Sequence, residues 1–289
     1  MNRRQFLTCT TAALAASATS CSILGGSTSK APRLRLSTSS NHFKDLPIDQ
    51  ACERIAGLDF EGIDIWSAYQ NCPHLDDVAA RLGPVGLKAL LAKHKLNLVS
   101  FSVYIGGYAK YAELLGAAGG GVAIQGSTKP CPPEELTAKM KFFLDGLKPL
   151  VELAEKHNSY LAIENHKSAL LDSLDSFKAF TDLNQSSRLG IALAPYHLQA
   201  IGASVEEAIR IAGRQLFFFY AWQKQDGMSE LPGHGPADFK PWLETLAKVN
   251  YRGYVNPFTH HHATPDVMAA ALAKSRDYLR QQAKPAWKV

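Results

Sequence analysis

From residue 34 onward, short apolar and β-branched runs alternate with longer stretches of helical period. The strand-like runs fall at 34–37, 62–65, 96–101, 121–125, 160–165, 189–194, 215–220 and 253–257, each bounded by polar or turn-forming residues. Between them, 133–156 places Leu136, Met140, Phe143, Leu147 and Leu150 at three- and four-residue steps, the spacing of one helix face. Pro149 lies inside that stretch. With no amide hydrogen and a ring that crowds the preceding turn, it should kink the helix or divide it in two. Further helical patterns at 204–212, 238–249 and 265–282 place Ser204, Asp238 and Thr264 as N-caps. Strand–helix alternation predicts a parallel sheet covered by helices. Eight such units in 33–289 predict a single (β/α)8 TIM barrel, since open doubly wound sheets commonly use fewer strands.

Composition agrees with one globular domain. Of 289 residues, 46% are hydrophobic and 20% charged, which excludes a disordered or fibrous chain. The net charge of +5 includes Arg3, Arg4 and Lys30 near the start. No later Lys/Arg run is interleaved with aromatics, so nucleic acid is not an expected partner. Strand-to-helix turns contain neither GxGxxG nor GxxxxGK[ST], so nucleotide binding has no local support. Gly119-Gly120-Gly121 precedes a strand and reads as a helix stop and tight turn. Cys52, Cys72 and Cys131 have no metal-finger spacing and are expected as lone thiols, although an exported chain could form one bridge.

The first residues form a segment of their own. Asn2-Arg3-Arg4-Gln5-Phe6-Leu7 and the weakly apolar Ala/Thr/Ser stretch after it resemble a cleavable twin-arginine export signal over 1–21. Ala18-Thr19-Ser20-Cys21 resembles a weak lipobox. In one reading Cys21 carries lipid and holds the protein to a membrane surface; in the other, ordinary signal peptidase cleaves nearby. Residues 22–32, rich in Ser, Gly and Lys, read as a flexible tether. The expected location is the periplasm, free or as a membrane-anchored lipoprotein.

In a TIM barrel the chemistry sits at the C-terminal ends of the strands. The fifth run ends Ile163-Glu164-Asn165-His166, where two-residue spacing puts Glu164 and His166 on one face and Asn165 on the other. A carboxylate closing an apolar strand needs a cation, an imidazole or a substrate hydroxyl to offset its burial; a structural hydrogen bond to the next loop is the plainer alternative. The sixth run ends Ala194-Pro195-Tyr196-His197, and the seventh leads into Trp222-Gln223. We therefore take Glu164, His197 and His166 as candidate catalytic residues. Asn165, Tyr196, Trp222, Gln223, Trp66 and His234 are candidate sugar contacts; the Gly/Pro-punctuated loop places His234 either over the mouth or on the exposed surface. Of His260-His261-His262, one or two can face the pocket, because adjacent side chains diverge; His260 or His261 is expected there. Asn41, His42, Asp64 and Tyr104 follow or end early strands and carry weaker signals.

The run 161–166, the pattern Gly190-Ile191-Ala192-Leu193-Ala194-Pro195-Tyr196-His197, the loop Leu231-Pro232-Gly233-His234-Gly235 and the end Tyr251-Arg252-Gly253-Tyr254-Val255 resemble the xylose-isomerase-like TIM-barrel superfamily. The resemblance spans 33–279 and implies a barrel that isomerises, epimerises or dehydrates sugars and keto-sugars. It also implies a divalent metal, Mn, Mg, Zn or Co, held by a Glu after strand five, an Asp in D-x-x-H after strand six, a His near strand seven and a Glu after strand eight. Glu164 and His197 match two residues of that pattern. Ala194 stands at the Asp, aromatic residues where the strand-seven His belongs, and Phe258 at the final Glu. A relocated site using Glu164, His197 and His260, with His166, is the remaining way to hold an ion. The expected activity is proton abstraction next to a carbonyl, possible with or without a metal, on a small-molecule carbohydrate. The alternative is a noncatalytic sugar-binding or accessory barrel that has lost the family's metal site. Oligomeric state, including a homo-oligomer, is left open.

Overall fold

The computed structural model describes residues 32–288. The export signal, Cys21 and nearly all of the expected tether lie outside the described residues. Within them, β1 (Ser37–Ser39), β2 (Gly62–Trp66), β3 (Asn97–Ser102), β4 (Val122–Gly126), β5 (Tyr160–Glu164), β6 (Leu189–Leu193), β7 (Leu216–Ala221) and β8 (Val255–Pro257) form one sheet in sequence order. Every neighbouring pair is parallel. The first and last strands meet through the parallel bridge Leu36↔Val255 and the bond from Val255 N to Arg35 O, which brings the sheet round into a barrel. All eight expected strands are present. The first begins later than its apolar run, because Leu34 and Arg35 still belong to the approach that pairs with the C-terminal residues at the bridge Arg33↔Lys288.

The helices follow the sequence pattern with two corrections. The 133–156 stretch is divided, as Pro149 demands, into Leu136–Gly146 and Lys148–Lys156, with the proline in the first turn of the second helix. Ser204 caps its helix by accepting from Glu207 N. Phe239, not Asp238, occupies the N-cap of Lys240–Lys248; Asp238 instead accepts from Lys240 N at 2.9 Å. Thr264 stands at the N-cap of Pro265–Gln282 without a side-chain hydrogen bond. Gly120 has φ +85°, and a Cβ there would meet Asn158 O at 2.7 Å, so this turn admits no side chain. Cys52, Cys72 and Cys131 are free thiols, and no described helix is long and apolar enough to cross a membrane.

The side-chain period of two divides each strand between two apolar layers. Ile63 and Ile65 of β2, Phe219 and Ala221 of β7 and Leu161 and Ile163 of β5 pack outward into the core beneath the helices. Val99, Ile124, Ala162, Ala192 and Phe218 pack together inside the barrel, with Trp66, Tyr220, Trp222 and Phe258 above them toward the C-terminal ends. Both faces are therefore dry. Polar exceptions on the inner face include Ser37, Ser39, Asp64, Ser100, Ser102 and Asn256, all fully buried; of these, Asp64 and Ser102 build the site.

Candidate functional site

The end of β5 carries Glu164 into the barrel mouth, where only 8% of the residue is exposed. It lines a cavity of about 90 Å3 with His166, His197, His260 and Trp66. Five residues singled out from sequence thus meet at one place. Tyr69, Tyr104, Tyr220 and Phe258 complete the wall. Larger depressions lie among the outer helices, lined by exposed groups such as Lys141 and Lys148; the mouth is distinguished by buried titratable groups rather than by size.

Glu164 accepts a hydrogen bond from the Tyr104 hydroxyl at 2.7 Å. Tyr104 meets the Tyr220 hydroxyl at 3.2 Å, which meets Ser102 Oγ at 3.1 Å, and Ser102 reaches Asp64 at 2.9 Å. Two carboxyl groups are thereby joined through the barrel by four contacts and three hydroxyls. Each hydroxyl has one proton to give, so four hydrogen bonds need one proton more. A proton on one of the two terminal carboxyls supplies it and gives every contact a donor. Burial raises both acids, Glu164 to about 7 and Asp64 to about 6, against the pull of their hydrogen bonds toward the ionised form. Asp64 is the better supported anion, accepting also from Ser39, Ser100 and Trp66 Nε1; the extra proton then sits on Glu164 and points to Tyr104, and Tyr104 donates to Glu164 once that proton has left.

Across the cavity, burial and then the neighbouring His166 lower His197 to about 3 and His260 to about 4, so both imidazoles are neutral at ordinary pH. The Nδ1 atoms of His197 and His260 are buried without a partner, a loss unless a ligand supplies one. Trp222, Phe258 and Trp66 surround the His260 ring at centroid distances of 4.9, 4.8 and 6.0 Å. His166 is exposed and lies 4.0 Å from the His197 ring.

Several expected contacts point elsewhere. Asn165 is fully buried and faces away from the cavity, accepting from Ala194 N at 2.7 Å and donating to Ala194 O at 3.2 Å, so its amide ties β5 to the end of β6. Gln223 is likewise consumed by backbone, donating to Leu231 O and accepting from Ala237 N. His234 does not cover the mouth: its Nε2 contacts Ala271 O in the last helix. Trp222 is buried behind the wall, its indole donating to Glu230 and its ring stacked on Tyr196 at 4.2 Å. The pair forms a support for His197 and His260 rather than an open sugar platform. His261 is exposed and His262 pairs with Asp45 at 2.6 Å, leaving His260 as the inward member of the tract. His42 is structural, bonded to Thr38 Oγ1 and Thr259 N.

Tyr220 and Glu230 had no sequence signal of their own. Tyr220 closes a run of three phenylalanines, the pattern of packing; period-two counting back from Trp222 places it inside. Glu230 fastens the loop after β8 by accepting from Thr259 Oγ1 and His260 N.

The side chains present do not fit a metal of the kind the resemblance implies. Ala194 and Phe258 offer no donor, and Phe258 instead stacks on Trp66 at 5.1 Å. Among the described residues no three His, Cys, Asp or Glu side chains converge on a common point that could hold an ion. The His166 and His197 rings lie 4.0 Å apart but tilted at 43°, and they are not part of any such convergent group.

A single eight-stranded barrel with its polar groups gathered at the C-terminal mouth defines the class. The chain belongs to the xylose isomerase-like TIM barrel family, whose model matches residues 52–282. No curated protein matches the sequence. Among solved structures it resembles the apo 3-keto-D-glucoside 4-epimerase of E. coli, at 16% identity over 85% of this chain and 100% of that one, with a TM-score of 0.67. The D-psicose 3-epimerase of Clostridium cellulolyticum H10, solved with D-tagatose, is 13% identical over 86% and 99%, with a TM-score of 0.67. The IOLI protein, solved with a zinc atom, is 12% identical over 89% and 100%, with a TM-score of 0.70. At these identities the likeness establishes the fold.

Proposed function

We propose that this protein isomerises, epimerises or eliminates from a sugar or keto-sugar by moving a proton next to a carbonyl, with Glu164 as the acid/base group. The observation that carries this reading is Glu164 itself: a buried carboxyl poised near neutrality, joined to Tyr104 and facing two neutral, unpartnered imidazoles. Titration near the working pH is what a group needs in order both to take and to return a proton. The names of the structural neighbours add the substrate class, since the E. coli enzyme acts on a keto-glucoside and the clostridial enzyme on a ketose.

In this mechanism the C–H bond beside the carbonyl breaks, its proton passes to Glu164, and the electron pair moves onto the carbonyl oxygen. An imidazole Nδ1–H from His197 or His260 stabilises the resulting enediolate without carrying formal charge. Return of the proton to the neighbouring carbon, with that carbon's hydroxyl proton passing to the enediolate oxygen, gives an isomer. A proton delivered from the opposite face, with Glu164 releasing the first to solvent, gives an epimer. Expulsion of a β-hydroxyl, protonated by Glu164 to leave as water, gives elimination. Aromatic walls exclude water from the intermediate. No step is assigned to a metal ion, because the donor set does not fit one.

Ala194 and Phe258 favour a second reading, a sugar-binding barrel without turnover. Deuterium exchange separates the two. Ketoses and keto-glycosides that raise the melting temperature are incubated with the protein in D2O and followed by proton NMR. The enzyme reading expects loss of the proton next to the carbonyl with wild type and none with Glu164→Gln. A sugar that binds and keeps that proton makes the accessory reading the correct one.

A further inference from the structure

The end of the barrel opposite the mouth has a charge pattern that the proposed chemistry does not use. The loops entering the strands carry Arg33, Arg35, Arg188, Arg214 and Arg252, against two carboxylates, Asp59 and Glu61. Both carboxylates are already engaged, Asp59 with Arg280 and Glu61 with Arg33, each at 2.8 Å. Lys95 and Lys288 add exposed charge at the same end. The mouth loops are different in sign: Lys44, Lys129, Lys167 and Lys224 are matched there by Asp45, Asp172, Asp226, Glu230 and Asp238.

Within the basic end, Arg35, Arg214 and Arg252 line a depression of about 700 Å3 together with Tyr160. None of these arginines is in an ion pair among the described residues; Arg35 lies over the Tyr254 ring at 4.6 Å, and Arg188 over Tyr160 at 4.7 Å. Stacking orders these two guanidinium groups and leaves their charge unneutralised. Tyr160 is 38% exposed between them and the rim, the amphipathic residue type favoured at a membrane interface.

We infer that this face docks on an anionic lipid surface, its arginines meeting lipid phosphates and its tyrosine the headgroup layer. Two observations favour a bilayer over other polyanions. Pro32, where the described chain starts, lies at this end, its carbonyl bonded to Lys288 N. In sequence, Pro32 follows Cys21 by eleven residues, so a lipid on Cys21, if that reading holds, would be covalently close to this face. A lipid chain and a basic surface together give the two signals that stable attachment requires. The polarity also suits the site, because a barrel resting on its base holds its mouth toward the solvent that supplies sugar.

The test uses the full chain with Cys21→Ala, so that lipid does not contribute. Its sedimentation is measured with phosphatidylcholine vesicles, with and without about one third phosphatidylglycerol. Binding is expected only with the anionic vesicles and should fall as salt rises from about 0.1 M to about 0.5 M. Arg214→Glu with Arg252→Glu, two exposed positions, should weaken it by roughly tenfold or more, with an unchanged circular dichroism spectrum and melting temperature confirming the fold. Lys129→Glu with Lys224→Glu at the mouth should leave it unchanged, which controls for the same change of net charge; loss from neither pair would assign the binding to the basic leader and overturn the proposal. Equal binding to neutral vesicles, or equal loss from both pairs of substitutions, overturns the proposal. So does tighter binding to RNA or heparin than to the anionic vesicles, since the face would then be reading a polymer.

Discussion

Tyr104 and Glu164, sixty residues apart, meet at the barrel mouth, the phenol donating to the carboxylate at 2.7 Å. Their contact joins the end of β5 to the residues just after β3 and makes Glu164 one terminus of a hydrogen-bonded line that ends on Asp64. A hydrogen bond to the charged form opposes the effect of burial. Tyr104→Phe should therefore raise the Glu164 carboxyl further, by about one unit. Carboxyl-carbon NMR titration of the two proteins checks this with or without turnover. Coincident titrations would show that Tyr104 does not tune Glu164.

Glu164 also links stability to pH. Its carboxyl is raised from 4.5 to about 7 by burial, so the fold favours the protonated form. The stabilisation is complete below the unfolded value and is lost as pH rises through about 7. Glu164→Gln is neutral throughout. Relative to wild type it should gain up to about 3 kcal/mol between pH 4 and pH 8. The lowered imidazoles of His197 and His260 act in the opposite direction, losing their contribution as pH falls from 6.5 toward about 3 and about 4. They are common to both proteins and cancel in the difference. Urea unfolding at the two ends of the range measures it, and parallel stability curves would contradict the burial of an ionisable Glu164.

For ligand binding, Glu164→Gln and His197→Ala should each weaken a bound sugar by at least roughly tenfold, the loss of one buried polar partner. Asp59→Asn is the control. Its carboxylate is 73% exposed and paired with Arg280 on the far side of the barrel, so binding should be unchanged and stability altered by less than about 0.5 kcal/mol. Calorimetry with the same sugar in all three variants decides. Unaltered affinity in both mouth variants would remove this cavity as the site.

Metal uptake follows from Ala194 and Phe258, which leave gaps where oxygen donors would be needed. After incubation with Mn2+ or Zn2+ and desalting, the protein should retain well below one equivalent by elemental analysis. A full equivalent, lost in a His197→Ala/His260→Ala variant, would mean that these imidazoles regroup around an ion.

We propose that residues 1–21 act as a twin-arginine signal; replacing Arg3 and Arg4 together with Lys should then block export, since the paired guanidinium groups are the feature such a receptor would read. Fractionation of cells carrying the variant tests this. Undiminished export would assign the leader to another route.

Sequence by itself determined the architecture, because strand and helix periods are local. Eight apolar runs, the division of one helical stretch at Pro149 and the strand-end position of Glu164 all follow from spacing and covalent geometry. It also placed His166, His197 and His260 just beyond the ends of β5, β6 and β8. Only the tertiary structure decided which polar side chains turn inward. In a barrel both faces of each strand are buried, so hydrophobicity no longer marks the interior. Asn165 and Gln223, polar and correctly placed along the chain, are taken up by nearby backbone. Tyr220, hidden in a phenylalanine run, instead bridges toward Asp64 and Glu164. That line draws on β2, β3, β5 and β7, and its members come within hydrogen-bonding distance only when closure of the sheet brings residues as far apart as Ser102 and Tyr220 together at 3.1 Å.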